Sequence, residues 1–142
     1  MTGCELCDLP GGEVLARTAQ YRVVLVDDPD FPGFTRVIWN DHVREMTDLD
    51  GPDRAALMQA VWRVEALMRE ILRPTKINLA SLGNVVAHLH WHVIPRWSDD
   101  SRFPHPIWAP PHGLGRFEQR PSAVRVRQFA DHLTDAFASV NR

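Results

Sequence analysis

The chain is poor in cysteine, in runs of like charge and in long apolar stretches, and each shortage removes a class of protein. Only Cys4 and Cys7 occur among 142 residues. No disulfide framework is therefore available, and a chain of this length buries about two-thirds of its unfolded surface without one. Lys and Arg number 16 against 18 Asp and Glu, a formal net charge of -2. With no basic run to dominate, nucleic acid is not expected as the main partner, and any anion must be bound locally. No 18-residue window is apolar enough to span a bilayer, and Met-Thr-Gly-Cys-Glu-Leu-Cys at the start lacks the basic and apolar regions of a leader. A single cytoplasmic domain over residues 1–142, without membrane contact or internal repeat, is expected.

What is present is hydrophobic periodicity. Glu13 to Ala16 and Tyr21 to Asp27 read as strands, the second with Tyr21, Val23 and Leu25 on one face. Asp28-Pro29-Asp30-Phe31-Pro32-Gly33 marks a turn, Phe34 to Trp39 resumes β character, and Asn40-Asp41-His42 ends it. From about Pro52 to Leu72, the apolar residues Leu57, Val61, Val64, Met68 and Ile71 step by four and three, the stripe of a helix lying across a sheet. Asp50 or Gly51 caps it and Pro74 forbids its continuation. Lys76 to Leu82 and His88 to Arg96 read as a hairpin with a five-residue loop. That loop would set Leu82 opposite His88, Ala80 opposite His90 and Asn78 opposite His92. The segment from Ser98 to Pro121 carries five prolines and is expected to be irregular. A last amphipathic helix runs from about Ser122 to Val140, with Val126, Phe129, Leu133, Phe137 and Val140 on its apolar face.

Residues 88 to 92 read His-Leu-His-Trp-His. On a strand, His88, His90 and His92 share one face and Leu89, Trp91 and Val93 the other, so one face packs while the other is free for chemistry. Neighbouring imidazoles then stand roughly 6.6 Å apart along the strand, within reach of one phosphate or one metal. A neutral imidazole nitrogen is both nucleophile and leaving group, and its protonated form donates to an anionic oxygen. Attack on phosphorus suits such a face. Cys4 and Cys7 form a C-x-x-C outside any thioredoxin-like unit, which reads as half of a zinc site whose remaining ligands would be distant histidines.

The run from Asn78 to Arg96, with His-φ-His-φ-His-φ-φ complete from His88 to Ile94, resembles the signature of the histidine triad superfamily. Val37-Ile38-Trp39-Asn40-Asp41-His42 is similar to the strand that delivers a further histidine in that family. Phe31-Pro32-Gly33-Phe34, Leu82-Gly83-Asn84 and Phe103 to Trp108 resemble its bacterial branch of diadenosine-polyphosphate hydrolases. The resemblance covers residues 4 to 108; the proline-rich segment and helix from 98 to 142 extend it. It implies an α+β fold with an antiparallel sheet of about five strands, the long helix packed on it, and a homodimer whose sheets join.

By the same resemblance, His90 is the nucleophile that takes a nucleotidyl group from the α-phosphate of a small-molecule nucleotide. His92 contacts the phosphate, His88 orients the loop or the nucleophile, and Asn78, Asn84 and His42 contact substrate. Catalysis then requires no cofactor. Some relatives bind zinc through an N-terminal C-x-x-C and two histidines, here Cys4, Cys7, His42 and His88, a set suited to a tetrahedral structural zinc. Ala80 and Val85 depart from the family pattern, so leaving-group preference among dinucleoside polyphosphates, nucleoside phosphoramidates and aminoacyl-adenylates stays open. A non-catalytic nucleotide- or metal-binding dimer is the alternative. A cupin-like centre on His90 and His92 lacks the Glu and downstream His that such sites use.

His105, His112 and His132 are expected at the surface. Trp39, Trp62 and Trp91 are expected in the core, whereas Trp97 and Trp108 could close over a base or pack at a dimer seam.

Overall fold

The computed structural model describes residues 3–113 and 116–141. Five strands, β1 (Glu13–Arg17), β2 (Tyr21–Leu25), β3 (Thr35–Trp39), β4 (Lys76–Ala80) and β5 (His90–Arg96), form one antiparallel sheet in the order β1-β2-β3-β5-β4. Three α-helices accompany it: α1 (Glu5–Asp8), α2 (Gly51–Leu72) and α3 (Ala123–Ala138). The α+β fold is the expected one.

Each face of the sheet has its own composition. Tyr21, Val23, Val37, Trp39 and Val93 point to one side and join Leu57, Ala60, Val61, Val64, Met68 and Leu72 of α2 in the main core. Phe129, Ala130, Leu133 and Phe137 of α3 complete it. Asp50 caps α2 by accepting from the Asp53 backbone N–H at 2.9 Å, and the helix stops at Arg73, in a left-handed conformation (φ 51) before Pro74. Ser122 caps α3 in the same way. Burying one such Leu or Val contributes roughly 1.5–3 kcal/mol, and Leu57→Ala would cost about 2–5 kcal/mol.

The opposite face carries Arg22 and Val24 of β2, Arg36 and Ile38 of β3, and His90, His92, Ile94 and Arg96 of β5. Register pairs Arg22 with Ile38, Val24 with Arg36, Arg36 with His92 and Ile38 with His90. Phe31 and Phe34, from the turn between β2 and β3, pack there on Ile94. Gly33 makes that turn possible: its φ is +94, and a Cβ would collide with Leu72.

The hairpin differs from expectation. β4 ends at Ala80 and β5 begins at His90, and the pairs are Ala80 with His92 and Asn78 with Ile94. Ala80 is therefore not opposite His90, nor Asn78 opposite His92, nor Leu82 opposite His88. The cause lies in the residue before β5: the Leu89 N–H donates to the Val43 carbonyl at 2.8 Å, and the Leu89 carbonyl accepts from Trp39 at 3.1 Å. Those bonds draw residues 81–89 away from β4 into a longer loop. A slip of two preserves faces, so Asn78 stays on the histidine side.

Trp62 also departs from expectation. It is 57% exposed, since it follows the buried Val61 and projects about 100° around the helix from it. Trp39 is buried and Trp91 is partly buried against the core. Trp97 is core as well, against Phe117 with ring centroids 5.6 Å apart. His105, His112 and His132 are exposed, as expected.

Candidate functional site

The motif divides at the start of β5. His90 and His92 lie on the strand, while His88 precedes it in a bend, so the three do not share one strand face. The His90 Nδ1 lies 2.5 Å from the His88 carbonyl. A carbonyl only accepts, so Nδ1 carries the proton and Nε2 keeps its lone pair. His92 is arranged the other way. The Arg36 Nε, which can only donate, lies 3.5 Å from His92 Nδ1, leaving the ring proton on Nε2. The two rings are 4.9 Å apart and nearly perpendicular, at 86°. One imidazole thus offers a lone pair beside another that offers an N–H.

Both are buried and neutral at pH 7. Burial lowers the His90 pKa below the ordinary imidazole value, opposed by the bond to the His88 carbonyl, with Arg36 adding to the depression. Burial, with His90 and Arg36 beside it, holds His92 down to about 3. Edges of Phe34 and Trp108 enclose the His92 ring at centroid distances of 5.5 and 5.2 Å.

The segment bearing Trp108 is tied down by a buried ion pair. Asp100 accepts from Arg96 Nε at 2.8 Å and Nη2 at 3.0 Å, and from the backbone N–H groups of Trp97, Arg102 and Phe103. Burial would raise the Asp100 pKa, but these donors outweigh it and leave it below its ordinary value. Arg96 Nη1 also donates to Asn78 Oδ1 at 3.0 Å. Asn78 is thus on the predicted face but bound to Arg96 in this structure. Asn84, expected at substrate, is exposed in the 81–89 loop beside Val85, which is 96% exposed; neither is hydrogen-bonded to the histidines.

Cys4, Cys7, His42 and His88 converge. Their ligand atoms all lie within 4.8 Å of one another. His88 Nδ1 is 3.4 Å from each sulfur and 3.3 Å from His42 Nδ1, which is itself 3.4 Å from Cys7 Sγ. A tetrahedron with metal bonds of about 2.0–2.3 Å has edges of roughly 3.3–3.8 Å, and these four separations match such edges. His88 Nε2 donates to the Trp39 carbonyl at 2.6 Å, fixing the tautomer that leaves Nδ1 for a metal. His42, expected both here and at substrate, belongs to this cluster. Arg22 holds the cysteine segment on the sheet, donating to the carbonyls of Leu6 (2.6 Å), Leu9 (3.1 Å) and Pro10 (2.9 Å).

A cavity of about 370 Å³ reaches His88 and His90 between Met46 and the Ser81–Gly83 turn. Another, of about 450 Å³, runs from Asn78 and Ala80 to Pro104 and Trp108. The larger cavity of about 750 Å³, between the β2–β3 turn and the start of α3, is lined by no histidine.

Sequence reasoning missed Arg36, Arg22 and the Arg96–Asp100 pair. Alternation along β3 puts Arg36 on the face of Ile38, but that this strand neighbours the histidines is a non-local fact.

The HIT domain profile matches residues 12–99. The chain belongs to the HIT domain family. Among HIT relatives, the AP-4-A phosphorylase of Mycobacterium tuberculosis is 32% identical over 98 residues, covering 65% of this chain and 50% of that protein. The chain spans about half the length of the curated relatives it matches. A histidine triad protein from Bradyrhizobium japonicum matches with TM-score 0.71 at 28% identity, covering 89% of this chain and 90% of that one. A zinc-bound HIT protein from Mycobacterium smegmatis shares the fold at 20% identity, with TM-score 0.63 over 97% of each chain. Cys4 and Cys7 precede the matched HIT segment. Among the described residues, no helix is long and apolar enough to cross a membrane.

Proposed function

We propose that this HIT protein transfers a nucleotidyl group from the α-phosphate of a small-molecule nucleotide, through a covalent intermediate on His90. The observation that carries the proposal is the opposed pair of tautomers: a lone pair on His90 Nε2, set by the His88 carbonyl, beside an N–H on His92 Nε2, set by Arg36. In the first step the His90 lone pair forms a P–N bond as the P–O bond to the leaving phosphate breaks and its electrons depart with that oxygen. His92 donates to a non-bridging oxygen as charge accumulates there. In the second step an acceptor oxygen attacks phosphorus, the P–N bond breaks, and the acceptor's proton is lost to solvent or base.

Diadenosine tetraphosphate is the first substrate to test, because a 32% identical relative is named for phosphorolysis of that compound. From that substrate the first step releases ATP. Water as acceptor then yields AMP, and inorganic phosphate yields ADP. Chromatography of products with and without phosphate separates hydrolase from phosphorylase. A protein that binds the substrate but gives no product with either acceptor would be a non-catalytic binding module.

Cys4, Cys7, His42 and His88 would hold a structural zinc. The metal supplies a fixed junction joining the N-terminal segment, the end of β3 and the loop before β5. The carbonyl that orients His90 belongs to His88, so the junction steadies the nucleophile without touching substrate.

The same proposal includes a two-fold homodimer. β4 is an edge strand, its Leu79 and, just past its end, Leu82 are exposed, and Trp62 stands out from α2. Sedimentation should give twice the chain mass of 16.2 kDa. A dilute, active species of single chain mass would remove the dimer.

A further inference from the structure

Positive charge on the histidine face is distributed unequally. Arg96 is neutralised by Asp100, and Arg22 spends its guanidinium on three backbone carbonyls. Arg36 is placed differently. It stands directly across the sheet from His92 and is only half-buried. Its Nη1 donates to the Gly11 carbonyl at 3.1 Å, its Nε meets His92, and its guanidinium carbon lies 5.3 Å from the centre of the Phe34 ring. Among the described residues, Nη2 makes no hydrogen bond and no carboxylate lies within salt-bridge distance. Glu5 and Asp28 act on it only from farther away.

An arginine held in this way is a fixed cation with donor capacity to spare, directly across the sheet from His92 and beside the His90–His92 pair. We propose that Arg36 binds substrate phosphate in this site and sets its preference for substrates whose α-phosphate belongs to a polyphosphate chain. The inference rests on the nucleotidyl-transfer proposal above and names the substrate class it favours. A phosphoramidate presents about one negative charge at the reacting phosphorus. A polyphosphate presents several, and gains another on the leaving oxygen as the P–O bond breaks. A guanidinium on a partly desolvated face discriminates between them because its attraction grows with ligand charge and is weakly screened there. Gly11 and Phe34 hold the fork in place before substrate arrives, so little side-chain entropy is lost on binding.

The test compares wild type, Arg36→Gln and Arg36→Lys on diadenosine tetraphosphate and on adenosine 5′-phosphoramidate, with calorimetric binding of inorganic tripolyphosphate in parallel. Because Arg36 also sets the His92 tautomer, Arg36→Gln should slow both substrates, with the loss in kcat/KM at least about 10-fold deeper for the tetraphosphate than for the phosphoramidate. Arg36→Lys should recover the tetraphosphate rate to within about 10-fold of wild type, because charge survives the loss of the fork. Tripolyphosphate affinity should follow the tetraphosphate rates. Equal losses on both substrates, or a folded Lys variant as poor as Gln, would reduce Arg36 to a support for His92 and overturn the proposal. Unchanged tripolyphosphate affinity in Arg36→Gln would do the same. Should wild type turn over neither substrate, the nucleotidyl-transfer proposal fails by itself, and tripolyphosphate binding still decides whether Arg36 is the anion-binding group. Should Arg36→Gln not fold, Arg36→Lys decides: tripolyphosphate affinity within about 10-fold of wild type supports the role, and a folded Lys variant without affinity removes it.

Discussion

His88 and His90 are two residues apart in one motif, yet they belong to different environments. His90 is on a strand, donates through Nδ1 to a carbonyl, and keeps the lone pair on Nε2. His88 is in a bend, donates through Nε2 to the Trp39 carbonyl, and turns Nδ1 toward two sulfurs and another imidazole. The same side chain is given opposite tautomers by which carbonyl lies within reach. Backbone state decides that reach, and so decides which histidine is suited to phosphorus and which to a metal. The two environments also communicate, because the carbonyl that orients His90 is that of His88.

The largest expected effect breaks the reactive half alone. His90→Asn should lower kcat by at least about 10⁴-fold while nucleotide affinity, read by calorimetry, stays within a few-fold, because the amide cannot form the P–N bond. Comparable losses of rate and affinity would make His90 a binding group.

Next in size is the support under Trp108 and Asn78. Asp100→Asn leaves a buried Arg96 without its counter-charge, and chemical denaturation should show a loss of about 3–5 kcal/mol. The Asp100 pKa is depressed in the folded protein. Its contribution is therefore complete above the unfolded value of about 3.9 and is lost as pH falls through the lower folded value. The stability gap between wild type and Asp100→Asn should be constant from pH 5 to 8 and narrow below pH 4. A gap that widens in acid would reverse the sign assigned here.

The metal half is broken by Cys4→Ser with Cys7→Ser. Elemental analysis should find zinc in wild type and none in the double variant. Stability should fall by about 3–4 kcal/mol, the linkage expected for a metal present at 10²–10³ times its Kd, and by roughly 10 °C in Tm. Activity should survive better than stability. Wild type without zinc, and without a thermal response to added zinc or to chelator, would leave the cluster a structural hydrogen-bonded group.

His92→Asn should cost about 10²-fold in kcat, the smallest of these effects, because it removes a donor and not the bond-forming atom. A loss as deep as that of His90→Asn would move the essential chemistry to His92.

Much of this arrangement is legible in the residues. Alternation in Tyr21, Val23 and Leu25, the α2 stripe closed by Pro74, and the shared face of His90 and His92 follow from local periodicity. The Cys4, Cys7, His42 and His88 set follows from a family resemblance, and the structure gathers all four. What fails is non-local or finer than a period. The register of β4 on β5 depends on Leu89 bonding to Val43 and Trp39, which no residue of the loop announces. Arg36 becomes visible only once β3 is known to lie beside β5. Trp62 looks like core in composition, and one helical step from Val61 is enough to turn it outward.

The most direct measurement is mass spectrometry of enzyme quenched in alkali during turnover of diadenosine tetraphosphate. A P–N bond to histidine survives alkali and is lost in acid, so the peptide containing His90 should carry one adenylyl group per subunit after alkaline quench and none after acid quench. His90→Asn should carry none under either condition. Steady turnover with no adenylyl group retained in alkali, or with the group on a peptide lacking His90, would contradict the covalent mechanism.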